Sequence, residues 1–197
     1  MKTRMALLLV ALIVVAPTAT WADTAITLGS FTNGTDGEWT LGFQFVPTTN
    51  ITVTALGSYF QNGVTSRHDV GLWTAGGTLL ASTTVAGSGA AIDGFQYQGI
   101  TPLGLIAGNT YVVGGETLDD NYAIDFSHSF TVGPGLNYIV HVETSGGTLS
   151  FPTNQYTSFD DWGGTFQYQA VPEPGSLALF GSGLVGLAGV VRRKFNL

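Results

Sequence analysis

Trp39-Thr-Leu-Gly-Phe-Gln-Phe-Val46, followed by Ile51-Thr-Val-Thr-Ala-Leu56, alternates large apolar residues with small or polar ones. A period of two sends successive side chains to opposite faces of an extended chain, so each segment predicts a half-buried strand. Working outward, the same reasoning predicts strands at residues 68–73, 78–85, 95–100, 110–114, 136–142, 148–151 and 165–169. Between them lie Asn33-Gly34, Asp36-Gly37, Asn62-Gly63, Gly76-Gly77, Gly114-Gly115, Gly133-Pro134-Gly135, Gly146-Gly147 and Gly163-Gly164. Glycine-containing pairs of this kind supply the positive φ angles of tight turns, and turns at this density favour an antiparallel β-sandwich. No amphipathic helix and no fixed-period repeat interrupts the pattern, which argues against a propeller or β-helix.

The ends differ in kind from the middle. Residues 1–22 carry Lys2 and Arg4, then an uncharged apolar run at 5–16, then Pro17 and the small residues Thr20 and Ala22. That order predicts a secretory signal helix cleaved after Ala22, which would engage an export translocon and signal peptidase. At the other end Val171-Pro172-Glu173-Pro174-Gly175-Ser176 predicts an extended, exposed linker, because proline lacks a donor and disfavours helix before it. Residues 177–191 are uncharged and predict a hydrophobic, transmembrane-like helix, with residues 192–197 as a basic cytoplasmic tail opened by Arg192, Arg193 and Lys194. Such a helix covers only about 22 Å, and Gly181, Gly183, Gly186 and Gly189 weaken it, so the anchor it makes is transient.

Residues 23–170 remain for one domain, of a size that buries roughly two-thirds of its surface on folding. Glycine, at 28 of 197 residues, is about twice its usual ~7% share, as a turn-rich sandwich needs. Within the domain Arg67 alone opposes 12 carboxylates, a formal charge of −11. A field of that sign repels nucleic acid and anionic lipid and keeps an exported domain soluble. Cysteine is absent, which removes thiol nucleophiles and thiolate metal sites while remaining compatible with secretion.

The C-terminal run from Val171 to Lys194, with Pro172-Glu173-Pro174, a glycine-rich apolar span and a terminal basic cluster in order, resembles the PEP-CTERM sorting signal. The resemblance implies an exosortase-type membrane processing enzyme as partner, removal of the tail, and delivery to the surface or matrix of an exopolysaccharide-producing Gram-negative cell. A second resemblance rests on Gly57-Ser-Tyr-Phe-Gln-Asn-Gly63, on Ser66-Arg-His-Asp-Val-Gly-Leu-Trp-Thr-Ala-Gly-Gly-Thr-Leu-Leu-Ala-Ser82 and on Thr101-Pro-Leu-Gly-Leu-Ile-Ala-Gly-Asn-Thr-Tyr-Val-Val113. These are similar to a β-sandwich domain of unknown function found in exported bacterial proteins, which implies a jelly-roll-like, all-β fold and brings no catalytic residues with it.

Chemistry-bearing motifs are sparse. His68, His128 and His141, with Asp69, Asp125 or Glu143, could in principle hold a metal, but they show no two-ligand spacing and read as solvent-facing or turn residues. Asp119, Asp120 and Asn121 are weak Ca²⁺ candidates that lack the spacing of a calcium loop. No nucleophile elbow, P-loop or dinucleotide fingerprint is present, so the expectation is a protein without catalytic residues or cofactor. Asp160, Asp161 and Trp162, a tryptophan among charges and glycines, are the candidate glycan contacts, with exopolysaccharide as the partner they would take.

Overall fold

The computed structural model describes residues 22–61, 66–118, 122–171 and 174–194. The expected signal helix, with Thr20, lies outside the described residues, and Ala22 is the first residue within them. Asn62-Gly63, Asp119, Asp120, Asn121, Pro172 and Glu173 also lie outside them.

Strands β1 (Asp23–Thr24), β2 (Ile26–Thr27) and β3 (Thr32–Gly34) precede the long strands β4 (Trp39–Pro47) and β5 (Ile51–Tyr59). β6 (Arg67–Thr74), β7 (Leu79–Ala86), β8 (Phe95–Leu105) and β9 (Tyr111–Glu116) follow. The chain continues through β10 (Tyr122–Asp125), β11 (Thr131–Val132), β12 (Leu136–Ser145), β13 (Asn154–Tyr156), β14 (Asp160–Trp162) and β15 (Gly164–Ala170) to the helix α1 (Pro174–Lys194).

Two antiparallel sheets, ordered β1-β15-β5-β8 and β13-β12-β4-β9-β6-β7, enclose one apolar core and form a β-sandwich. Phe43 and Phe45 of β4 meet Phe166 and Tyr168 of β15 in that core, and the Phe45 and Phe166 rings lie 4.7 Å apart. Each such buried side chain contributes roughly 1.5–3 kcal/mol, which is why the alternation in β4 and β15 specifies their register so firmly. Two small sheets, β14-β10-β3 and β11-β2, are added to this framework.

Several glycine pairs have a different role from the one expected. Gly77, Gly135, Gly37 and Gly146 do adopt positive φ, at 84°, 75°, 144° and 139°. Gly114 and Gly115, however, sit inside β9, and Gly163-Gly164 lead into β15 without positive φ. A Cβ on Gly163 would come within 2.7 Å of the Gly115 carbonyl oxygen, and one on Gly164 would meet the Gly115 nitrogen. These residues are small because backbone passes backbone there, not because the chain turns. The strand expected at residues 148–151 is a loop whose Leu149 and Phe151 cover an outer-face cluster of Trp73, Val112, Val140 and Val142.

That outer cluster exists because β12 carries a bulge. Tyr138 pairs with Phe45 and Val140 with Gln44, which leaves Ile139 without a partner on β4. The extra residue exchanges the faces of everything after it. Val140 and Val142 turn outward, while His141 and Glu143 join the face of Phe43 and Leu41.

The helix α1 starts at Pro174, so the linker expected at residues 171–176 is helical in its second half; proline is tolerated in a first turn because the N–H it lacks has no partner there. Its described side chains, from Phe180 onward, are exposed, with Val185 and Leu187 among the most open. Among the described residues no helix is long and apolar enough to cross a membrane, which corrects the expectation of a transmembrane-like helix at residues 177–191.

Candidate functional site

The bulged half of β12 and the short strand β14 meet at one end of the sandwich and bring together four buried ionisable residues, His141, Glu143, Asp160 and Asp161. β14 is held in place by β10, with Asp160 opposite Asp125, Asp161 opposite Ile124 and Trp162 opposite Ala123. β13 pairs with β12 and sets Tyr156 opposite His141.

Asp160 is a fully engaged carboxylate. His128 Nδ1 lies 2.6 Å from its Oδ2, and the Tyr138 hydroxyl donates to its Oδ1. Burial, reinforced by that bond to Asp160, pushes the Tyr138 hydroxyl above its ordinary range. His128 occupies the left-handed region at φ 51°, in an exposed turn that brings its ring over β14.

Asp161 is the opposite case. Its backbone N–H donates to His141 Nδ1 at 3.3 Å, whereas its carboxylate Oδ1 is buried without a hydrogen-bond partner. His141 Nε2 lies 3.4 Å from Glu143 Oε2. Ligand-capable atoms of His141, Glu143 and Asp161 all fall within 4.8 Å of one another, and all three residues are buried. Burial pushes the Asp161 carboxyl up to about 7; His141 opposes the shift, and the carboxylates of Glu143, Asp36 and Asp160 add to it. Among the described residues the ion pairs at this cluster are with histidine alone, so its negative charge has no lysine or arginine against it.

A cavity of about 290 Å³ opens beside the cluster, walled by Asp36, Glu143 and Asp161 and rimmed by Trp39, Tyr122, Phe126, Tyr156 and Phe159. Asp36 Oδ1 accepts hydrogen bonds from Trp39 Nε1 at 3.0 Å and from the Tyr122 hydroxyl at 2.7 Å. Phe159 links the rim, stacking on Tyr156 at 5.8 Å and meeting Phe126 edge-on at 6.1 Å. Phe126, at 64% exposure, and Tyr156, at 37%, leave apolar ring surface open to solvent.

The residues singled out from sequence are placed unevenly. Asp160, Asp161 and Trp162 do reach this end, but all three are buried in a strand, not displayed on an exposed loop. The Trp162 ring, at 1% exposure, packs against Phe43, Phe130 and Tyr138 and presents no face to a sugar. The physical reason is the glycine pair that follows it, which lets β14 sink against β4 and β9.

His68 and His141 are buried, where solvent-facing positions were expected. His68 bonds Ser58 Oγ at 3.0 Å and stacks on Phe60, so it is a core residue distant in role from the cluster. Asp36, Phe126 and Phe159 were not foreseen as site residues. Their signal in the sequence is an aromatic beside an aspartate in a short polar segment, as in Asp125-Phe126-Ser127 and Ser158-Phe159-Asp160. Of the sorting residues, Val171 is exposed, Pro174 opens α1, and Arg192, Arg193 and Lys194 close it.

Comparison with known proteins gives two matches. Residues 27–162 match the family described as a domain of unknown function, DUF4082, and residues 170–194 match the PEP-CTERM protein-sorting motif. No curated protein and no solved structure matches the chain.

Proposed function

The chain belongs to the DUF4082 family and ends in an exosortase-targeting PEP-CTERM motif, and we propose that it is a non-enzymatic surface or extracellular-matrix protein of an exopolysaccharide-producing Gram-negative cell. The sorting motif carries this reading. It marks an exported protein, held transiently at the membrane and then processed by exosortase. A tail rich in small residues, in a chain where no helix among the described residues is long and apolar enough to cross a membrane, suits a temporary hold better than a permanent one. In this account a translocon and signal peptidase handle residues 1–22, and the sandwich is left among polysaccharide. We also read the sandwich as jelly-roll-like, a reading supported by the way β4, β5 and β6 alternate between the two sheets.

The test is replacement of Pro172-Glu173-Pro174 by three alanines in the producing cell. The variant is expected to retain its tail and accumulate in the membrane fraction. Tail removal at the normal rate would overturn the processing account.

A specific observation favours a second reading, a carbohydrate-binding module. The cavity beside Asp36 and Glu143 offers exposed aromatic surface next to carboxylates, the combination of stacking face and hydrogen-bond acceptor that a sugar ring requires. On a glycan array this reading expects saturable binding that falls in Tyr156→Ala. Steady turnover of a glycan by the same preparation would instead support a glycan-active enzyme.

A further inference from the structure

We infer that His141, Glu143 and Asp161 form a binding site for one divalent transition-metal ion of the zinc type, set in the floor of the aromatic-rimmed cavity. The inference is independent of the surface-protein reading and starts from what is left unsatisfied. A buried carboxylate oxygen without a partner is costly, and a buried group of two carboxylates without a cation more so. Asp161 is 5% exposed, its Oδ1 has no hydrogen-bond partner, and Glu143, at 8% exposure, faces it across the same small space. Neighbouring Asp160 shows how this fold treats a buried acid it intends to keep quiet, with partners on both oxygens. Asp161 is not treated that way.

The geometry suits a metal. Ligand bonds of ~2.0–2.2 Å at tetrahedral angles put two ligands of one ion about 3.4 Å apart. His141 Nε2 and Glu143 Oε2 already stand 3.4 Å apart, and the three ligand atoms lie within 4.8 Å, so side-chain shifts on the order of 1 Å close the set. The His141 ring is held by contacts of 3.3 and 3.4 Å, both at the outer edge of hydrogen bonding, so an ion that takes one ring nitrogen displaces only a weak bond. His141 and Glu143 alternate along β12 and Asp161 comes from β14, so the ligands stand on strands, which hold geometry better than loops do.

The donor set selects the ion. Imidazole with two carboxylates suits zinc and its neighbours, whereas Ca²⁺ requires six to eight oxygens and takes imidazole poorly. Three protein ligands leave a fourth position, and the cavity walled by Glu143 and Asp161 gives it space for water or for an oxygen of a bound molecule.

The experiment uses the full chain, stripped with chelator and titrated by calorimetry with Zn²⁺, Co²⁺ and Ca²⁺. Expected are one equivalent of Zn²⁺ bound in the micromolar range or tighter, no competition from millimolar Ca²⁺, and affinity at least ~100-fold weaker in His141→Ala and in Glu143→Gln. His128→Ala, which removes the partner of Asp160 and none of the three ligands, should bind as the parent does. Loss of binding in His128→Ala with retention in His141→Ala would overturn the assignment, as would the absence of stoichiometric binding. If the site variants fail to fold by circular dichroism, nitrogen NMR of the unaltered chain decides. Zn²⁺ must move the His141 imidazole signals and leave those of His68 in place; the reverse pattern refutes the site.

Discussion

Trp162 shows how much a single side chain's meaning depends on its surroundings. Flanked by two aspartates and two glycines, it has the local composition of an exposed binding residue, yet its ring closes the core between Phe43 and Phe130. Trp162→Ala is therefore expected to cost about 3–5 kcal/mol of stability, read as a fall in the denaturation midpoint. A variant that melted like the parent but lost an interaction with glycan would place the ring at the surface. Asp125 governs acid stability in a similarly local way. Burial alone would push its carboxyl up, but bonds from Ser127 N–H and Oγ–H at 2.8 Å and from Ser129 N–H at 2.7 Å outweigh that and hold it below its ordinary value. Because the folded state favours the carboxylate, its contribution is present above the unfolded value of ~3.9 and is lost as pH falls through the lower folded value. The melting temperature should thus drop on acidification through that window, and by less in Asp125→Ala, in which the titrating group is gone. An equal drop in both proteins would assign the acid sensitivity elsewhere.

Among the elements, the long strands were readable from sequence because their alternation is a property of the chain itself. β4, β5, β6, β7, β12 and β15 all stand close to where the two-residue period puts them. β8 runs on from residue 100 to Leu105 through Pro102, beyond the segment whose pattern is visible. β1, β2, β3, β10, β11, β13 and β14 have two to four residues each, too few to show a period, and exist only because a longer neighbour offers them an edge. The candidate site was hidden for a more specific reason. Strict alternation from Leu136 would turn Val140 and Val142 toward the main core and His141 to the outer face, and the unpaired Ile139 exchanges those faces. A bulge is decided by what lies across the sheet and leaves no signature in its own strand. The glycine pairs obey the same logic, since Gly163-Gly164 reads as a turn until β9 is seen against it. Gly164→Ala, which would push a methyl into the Gly115 backbone, is expected to destabilise the domain by roughly 1–3 kcal/mol, whereas Gly104→Ala, with open space around it, should be close to neutral. Similar midpoints for the two variants would refute the close-approach reading.

Taken whole, the molecule combines a compact acidic sandwich with a terminal helix built to be weak. Four glycines in the interior of α1, Gly181, Gly183, Gly186 and Gly189, each costing about 1 kcal/mol of helix propensity, and exposed apolar side chains make a segment that gains little from water or from a bilayer of full thickness. That is sensible for a handle that a processing enzyme holds and removes. The domain meanwhile carries the properties of its destination, with no cysteine to oxidise and one arginine against 12 acids. Intact-mass spectrometry of the protein recovered from its native cells tests the exported, tail-processed account most directly. A polypeptide beginning near Asp23 and lacking the α1 helix is the predicted result. A mass corresponding to Met1 through Leu197, with both ends retained in a healthy producing cell, would contradict it.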